Sequence, residues 1–185
     1  MAHSDALRRA HFAYERAHAF AALRGLAIAG GLALLAVGLH RTANATWLVA
    51  GSLAVTLGVL GWRGGAWRRG ALAGVVAGLP PLLAPSLVFA LGHGGAVCAD
   101  CAMGPTLPCL LTCVGTSSLV GLFVGHRASR DIAPGRFATA AFASAALTGL
   151  LGCGTTGLGG ALGVVIGLVA GVVTGWLVAG REATV

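Results

Sequence analysis

The sequence predicts an all-α fold, a polytopic membrane bundle of six transmembrane helices with both termini in the cytoplasm. Only 9% of the 185 residues are charged and 57% are hydrophobic, with a mean hydropathy of +0.89, whereas about a quarter of a soluble domain is charged. Six apolar stretches each approach the roughly 20 residues that a spanning helix needs. The arginines between these stretches fall almost entirely on one side of the membrane.

The chain divides into a charged arm over residues 1–21 and a membrane domain over residues 22–185. Trp47 and Trp62 lie near the ends of the second apolar stretch, where interfacial indoles are normally found. The predicted spans cover residues 22–39, 47–62, 70–92, 107–125, 137–153 and 160–179.

Small residues predict how spans three to six pack, because lipid provides no hydrophobic drive for helix association. Span six carries four GxxxG steps from Gly159 to Gly175, so we expect it to be the central helix. Spans three, four and five carry shorter series of glycine or alanine at the same spacing. Span three also contains Pro80, Pro81 and Pro85, which predict a kink and backbone carbonyls that neighbouring groups must satisfy.

The placement of charge indicates topology. Eleven of the twelve arginines precede span one or follow spans two, four and six, and only Arg41 lies on the other side. The positive-inside rule therefore places both termini in the cytoplasm, and a bacterial inner membrane is the expected location. No direct nucleic-acid binding is expected. No Asp, Glu or Lys lies within a span, which argues against a pump or ion-coupled transporter, and the absence of the usual catalytic motifs favours a non-enzymatic role.

Five cysteines lie toward the outer side in this topology, namely Cys98, Cys101, Cys109, Cys113 and Cys153. In the oxidising periplasm, disulfides are their first interpretation. Cys98 and Cys101 form a CxxC that can close on itself, and either Cys109 or Cys113 can join Cys153. The second bridge would close a loop of about 40 residues and contribute about 3 to 4 kcal/mol in the chain-entropy model. The odd number leaves at least one thiol unpaired unless chains are cross-linked.

Two other interpretations of the cysteines remain open. Cys109 and Cys113 are four residues apart on one helix face, so with Cys98 and Cys101 they offer four thiolates to a soft metal ion such as Zn, Cu or Hg. Apart from such an ion, no cofactor is expected. The CxxC and the second cysteine pair also resemble those of the DsbB and vitamin K epoxide reductase families, which implies quinone-linked thiol-disulfide exchange as an alternative activity.

The arm is predicted to be a helix, with Ser4 as its N-cap and Asp5 at its positive end. An amphipathic stripe on this helix can be an extension of span one, a docking surface for a cytoplasmic protein, or, least favoured, a histidine metal site. The candidate partner-binding residues are Leu7, His11, Tyr14, Glu15 and His18.

The whole architecture resembles the NrsF-type membrane anti-sigma factors. The resemblance rests on a short arm carrying Ala13-Tyr14-Glu15-Arg16, six small-residue spans, and outward cysteines near the tops of spans four and five. It implies that the arm holds a sigma factor and that the bundle senses stress. We therefore expect an inner-membrane regulator that responds to periplasmic oxidant or metal through its cysteines, with the bilayer and a sigma factor as partners. Self-association of the chain is left open.

Overall fold

The structure, a computed structural model, describes residues 2–40, 44–91, 107–153 and 158–182. These ranges are helical except for short connections, so the described chain is all-α. Residues 92–106, which include Cys98 and Cys101, lie outside the described residues, as do the side chains of Leu7 and Cys109. The six helices are α1 (Ala2–His40), α2 (Asn44–Arg63), α3 (Gly65–Leu91), α4 (Leu107–Ser129), α5 (Pro134–Cys153) and α6 (Leu158–Glu182).

Within the described ranges, four helices are long and apolar enough to cross a membrane. The qualifying segments are His11–Gly38 in α1, Thr46–Arg63 in α2, Pro134–Cys153 in α5 and Leu158–Gly180 in α6. Many large apolar side chains on these helices are exposed, among them Leu48 at 76% and Leu34 at 69%. A helix that exposes such side chains is stable in lipid, so the chain is a multi-pass membrane protein.

The helices associate as three pairs, α1 with α2, α3 with α5, and α4 with α6. In the second pair, three glycines of α3 face α5. A Cβ at Gly70 would collide with the Phe137 carbonyl oxygen, and one at Gly74 with the Ala141 carbonyl oxygen. The two backbones are therefore in direct contact, as small-residue packing in lipid requires.

The third pair packs even more closely, because glycines from both helices oppose one another. A Cβ at Gly171 would lie 2.9 Å from the Cα of Gly121, and one at Gly175 would lie 3.2 Å from the Cα of Gly125. The GxxxG steps of α6 thus mate with the shorter glycine series of α4. This arrangement confirms that glycine spacing marks the helix contacts.

The expectation that span six is central is wrong, since α5 occupies that position. α5 contacts each of the other five helices, whereas α6 packs mainly on α4. The physical reason is the size of the side chains on the helix faces that do not carry glycine. α6 carries exposed Val and Leu side chains around its glycine face, such as Val169 and Leu177. In α5, small side chains such as Ala145, Ser144 and Thr148 allow neighbours to approach from several directions.

Several arginines lie at one end of the bundle. Arg69 in α3 makes a bidentate ion pair with Asp131 in the connection between α4 and α5, at 3.1 Å from Nη2 to Oδ1. Arg63 at the end of α2 lies over the Trp67 ring, 5.3 Å from its centroid. The connections from α2 to α3 and from α4 to α5 therefore meet at this end, which we call the arginine-rich end.

The predicted arm does not form a separate unit in the structure. Residues 2–40 make one helix, so the arm and the first span are continuous. The C-terminal end of α1 lies where α2 begins, at the end of the bundle opposite to the arginine-rich end. The arm accordingly extends from the arginine-rich end as a prolongation of α1.

Candidate functional site

Two cysteines that are 40 positions apart in the sequence meet inside the bundle. Cys113 lies in the second turn of α4 and Cys153 is the last residue of α5. Because α4 and α5 are antiparallel and joined at the arginine-rich end, these two positions come together at the opposite end. Cys113 is 3% exposed and Cys153 is fully buried. Both are present as thiols, and their side chains are hydrogen-bonded to each other.

The pair is also bonded to the backbone of α3. The Cys153 Sγ donates to the Pro81 carbonyl oxygen over 3.4 Å. In a regular helix that carbonyl would accept the amide N–H four residues later, but the residue there is Pro85, which has no N–H. The Cys153 side chain thus contacts both the Pro81 carbonyl oxygen and the Cys113 side chain.

Four helices enclose this dithiol. A Cβ at Gly152 would lie 2.6 Å from the Cα of Leu82, so α3 and α5 touch directly beside Cys153. On the other side, a Cβ at Gly163 of α6 would lie 3.3 Å from the Cβ of Cys113. The thiols are thus buried among closely packed helices.

This arrangement can carry out two kinds of chemistry. Two thiols in hydrogen-bond contact can be oxidised to a disulfide after a small approach of their sulfur atoms. Two thiolates can also bind a soft metal ion, although the described residues contain no group of three or more His, Cys, Asp or Glu that could hold one. The predicted metal set depends on Cys98, Cys101 and the Cys109 side chain, which lie outside the described part of the chain.

The candidate partner-binding residues of the arm are only partly available for a partner. The His18 ring stacks on Tyr14 with ring centroids 4.1 Å apart, and it meets Trp62 of α2 edge-on at 5.9 Å. His11 lies 3.4 Å from the Glu15 carboxylate. His18 therefore packs against α2, whereas Tyr14 remains 64% exposed.

Sequence reasoning missed three features near these sites. Phe12 and Phe20 on the arm are 71% and 60% exposed. The acceptor for Cys153 was also missed, although the four-residue spacing of Pro81 and Pro85 was a readable signal for an unsatisfied carbonyl. The buried hydroxyl of Ser117, one turn from Cys113, has no partner among the described residues, and no sequence pattern indicated it.

Comparison of this chain with protein-family models, with curated proteins and with solved structures finds no match. The fold and the site define a multi-pass α-helical membrane protein with a buried dithiol at one end. Its function has to be inferred from that geometry.

Proposed function

We propose that the protein is a redox-responsive regulator of the bacterial inner membrane, in which oxidation of Cys113 and Cys153 changes the binding of a cytoplasmic partner to the N-terminal arm. The contact of these two thiols across the α4 and α5 interface carries the proposal. The resemblance to NrsF-type anti-sigma factors makes a sigma factor the most specific candidate for the partner.

The proposed topology has all six helices crossing the membrane, with both termini inside. Helices α3 and α4 have 27 and 23 residues, which is sufficient length for a span. The positive-inside rule directs the arginine-rich end to the cytoplasm. Cys153 lies 17 residues along α5 from Arg136, or about 26 Å at 1.5 Å per residue. In the proposed topology, this distance supports a position of the dithiol near the outer edge of the hydrocarbon layer, on the side of the oxidising compartment.

The proposed chemical step uses hydrogen peroxide as the oxidant. One thiol sulfur attacks the peroxide oxygen, the O–O bond breaks, and a sulfenic acid and one water are formed. The second thiol then displaces the hydroxyl group, which gives the disulfide and a second water. Two thiols lose two electrons, and the peroxide accepts them. A soft metal ion would instead bind two thiolates and release two protons.

Oxidation would act on the bundle at two points. The new bond would join the α3–α5 pair to the α4–α6 pair, because Cys153 belongs to the first and Cys113 to the second. It would also consume the thiol proton that Cys153 donates to the Pro81 carbonyl, so α3 would have to find another donor. α5 contacts α2, and α2 holds the arm through Trp62 and His18, which provides a route for the change to reach the arm.

The test uses the full chain in membrane vesicles, with sigma factors retained on it measured by quantitative mass spectrometry. We expect a sigma factor to be retained under reducing conditions and released by hydrogen peroxide. The Cys113→Ser and Cys153→Ser variants should retain it under both conditions. A Tyr14→Ala variant should bind it poorly throughout.

A matched control separates the buried pair from the remaining cysteines. The triple variant Cys98→Ser, Cys101→Ser and Cys109→Ser should respond to peroxide as the wild type does. Equal release from the wild type and from the Cys113→Ser variant would overturn the redox switch, and retention of no sigma factor would overturn that partner. Quinone-dependent thiol turnover that survives removal of residues 1–20 would instead establish a thiol oxidoreductase.

A further inference from the structure

A recess between α1, α2 and α3 lies at the arginine-rich end, away from the dithiol. It holds about 320 Å³ of empty space, including the part open to its surroundings. Arg24 of α1 and Arg68 of α3 line it, together with the apolar side chains of Ile28, Leu57 and Leu72. Close packing of α1 on α2 forms the recess wall, where a Cβ at Gly61 would lie 3.2 Å from the Ala21 carbonyl oxygen.

The two guanidinium groups in this recess differ from their neighbours. Arg69 is neutralised by Asp131, and Arg63 lies over Trp67. The guanidinium groups of Arg24 and Arg68 have no ion-pair or hydrogen-bond partner among the described residues. Both arginines are exposed and line the same recess, so their charges are available to an anion from outside the chain.

The apolar part of the recess identifies the kind of anion. Ile28 is one turn deeper along α1 than Arg24, and Leu72 is one turn deeper along α3 than Arg68. The lining thus changes from cationic at the membrane surface to apolar toward the membrane interior. That polarity matches a phospholipid with an anionic headgroup, whereas a free phosphate ion would leave the apolar lining unused.

We infer that this recess binds an anionic phospholipid of the cytoplasmic leaflet, with its phosphate between Arg24 and Arg68 and the start of an acyl chain against Ile28, Leu57 and Leu72. The arm is part of α1 and contacts α2. A lipid bound in this recess therefore makes the position of the arm depend on the lipid composition of the membrane. The inference concerns lipid binding alone and holds whether or not the dithiol acts as a redox switch.

Native mass spectrometry of the purified full chain, titrated separately with phosphatidylglycerol and phosphatidylcholine, tests this inference. The Arg24→Gln/Arg68→Gln variant should bind phosphatidylglycerol about 30-fold more weakly, since each arginine near an anionic surface contributes about 1 kcal/mol. Each single variant should show about a fivefold loss, and Arg24→Lys/Arg68→Lys should retain most of the binding. Binding of phosphatidylcholine should be unchanged.

The matched control removes the same charge from the same end but outside the recess. The Arg127→Gln/Arg136→Gln variant should bind phosphatidylglycerol within about threefold of the wild type, because surface charge acts only over a Debye length. Equal losses in the two double variants would overturn the site, as would equal affinity of the wild type for both lipids. Displacement of the lipid by inorganic phosphate would assign the recess to a free anion and overturn the lipid proposal.

Discussion

At the scale of single residues, the Pro81 carbonyl oxygen accepts its hydrogen bond from a cysteine thiol instead of a backbone amide. Pro85 removes the amide that would otherwise bond this carbonyl, and the Cys153 thiol takes its place at 3.4 Å. A carbonyl left without a donor at membrane depth costs several kcal/mol. The Cys153 thiol therefore supplies the donor that Pro85 removes, although the two residues are far apart in the sequence.

Replacement of Pro85 by Ala should weaken the bond between Cys153 and Pro81. The restored amide at position 85 competes for the same carbonyl, so the infrared S–H stretching band of a chain with Cys153 as its only cysteine should move to higher frequency. Pro80→Ala is the matched control, since its amide would face the Val76 carbonyl instead. An identical band in both variants would mean that Pro85 does not govern this acceptor.

The Arg69 and Asp131 pair predicts a pH dependence that belongs to one residue. Hydrogen bonds from the Arg69 guanidinium, and then from the Ala133 amide, hold the pKa of Asp131 below its ordinary value. A carboxyl group with a lowered folded-state pKa stabilises the fold above its unfolded-state pKa of about 3.9, and this contribution is lost as the pH falls through the folded-state value.

We therefore expect Asp131→Asn to melt at a lower temperature than the wild type at pH 7, and the two curves to converge as the pH is lowered below about 4. Thermal unfolding of both proteins in detergent, followed by circular dichroism across that range, measures the difference. A gap that stays constant down to pH 2 would show that the effect of the substitution is not due to the charge on Asp131.

At the scale of the elements, the contact of α4 with α6 depends on the absence of side chains. A Cβ at Gly171 would collide with the Ser118 carbonyl oxygen and would lie 2.8 Å from the Leu122 amide nitrogen. None of these neighbours is the flexible end of a side chain. The helices would have to separate to accommodate even one methyl group.

Gly171→Ala should accordingly destabilise the bundle by about 1 to 3 kcal/mol. Gly115→Ala is the matched control on α4, because no atom lies within 4 Å of its added Cβ. It should be neutral or stabilising by up to about 1 kcal/mol, as helix propensity predicts. Unfolding midpoints in sodium dodecyl sulfate titrations measure both effects. A loss of equal size at the two positions would contradict backbone contact as the source of stability.

At the scale of the whole molecule, the sequence was sufficient to predict helices and glycine contacts, because hydropathy and residue spacing are local properties. It also placed Cys153 with Cys109 or Cys113, since topology brings the ends of two adjacent helices together. The central position of α5 was not predictable from glycine alone, since centrality depends on which faces carry bulky side chains. The contact between His18 and Trp62 was not predicted, because the two residues belong to segments that a hydropathy profile evaluates separately.

The central claim is that Cys113 of α4 and Cys153 of α5 form a thiol pair that can be oxidised to a disulfide. This claim is tested most directly by mapping that disulfide. A chain with Cys98→Ser, Cys101→Ser and Cys109→Ser is treated with hydrogen peroxide in membranes and cut by trypsin at its arginines. A matched chain carries Cys113→Ser and retains Cys109. Because Arg127, Arg130 and Arg136 lie between the two cysteines, the products separate on reduction.

Mass spectrometry without reductant should show residues 70–127 linked to residues 137–181 through Cys113 and Cys153 in the first chain. The matched chain, with Cys109 in place of Cys113, should show little of this product. Unlinked fragments in the first chain, or equal linkage in both chains, would contradict the account.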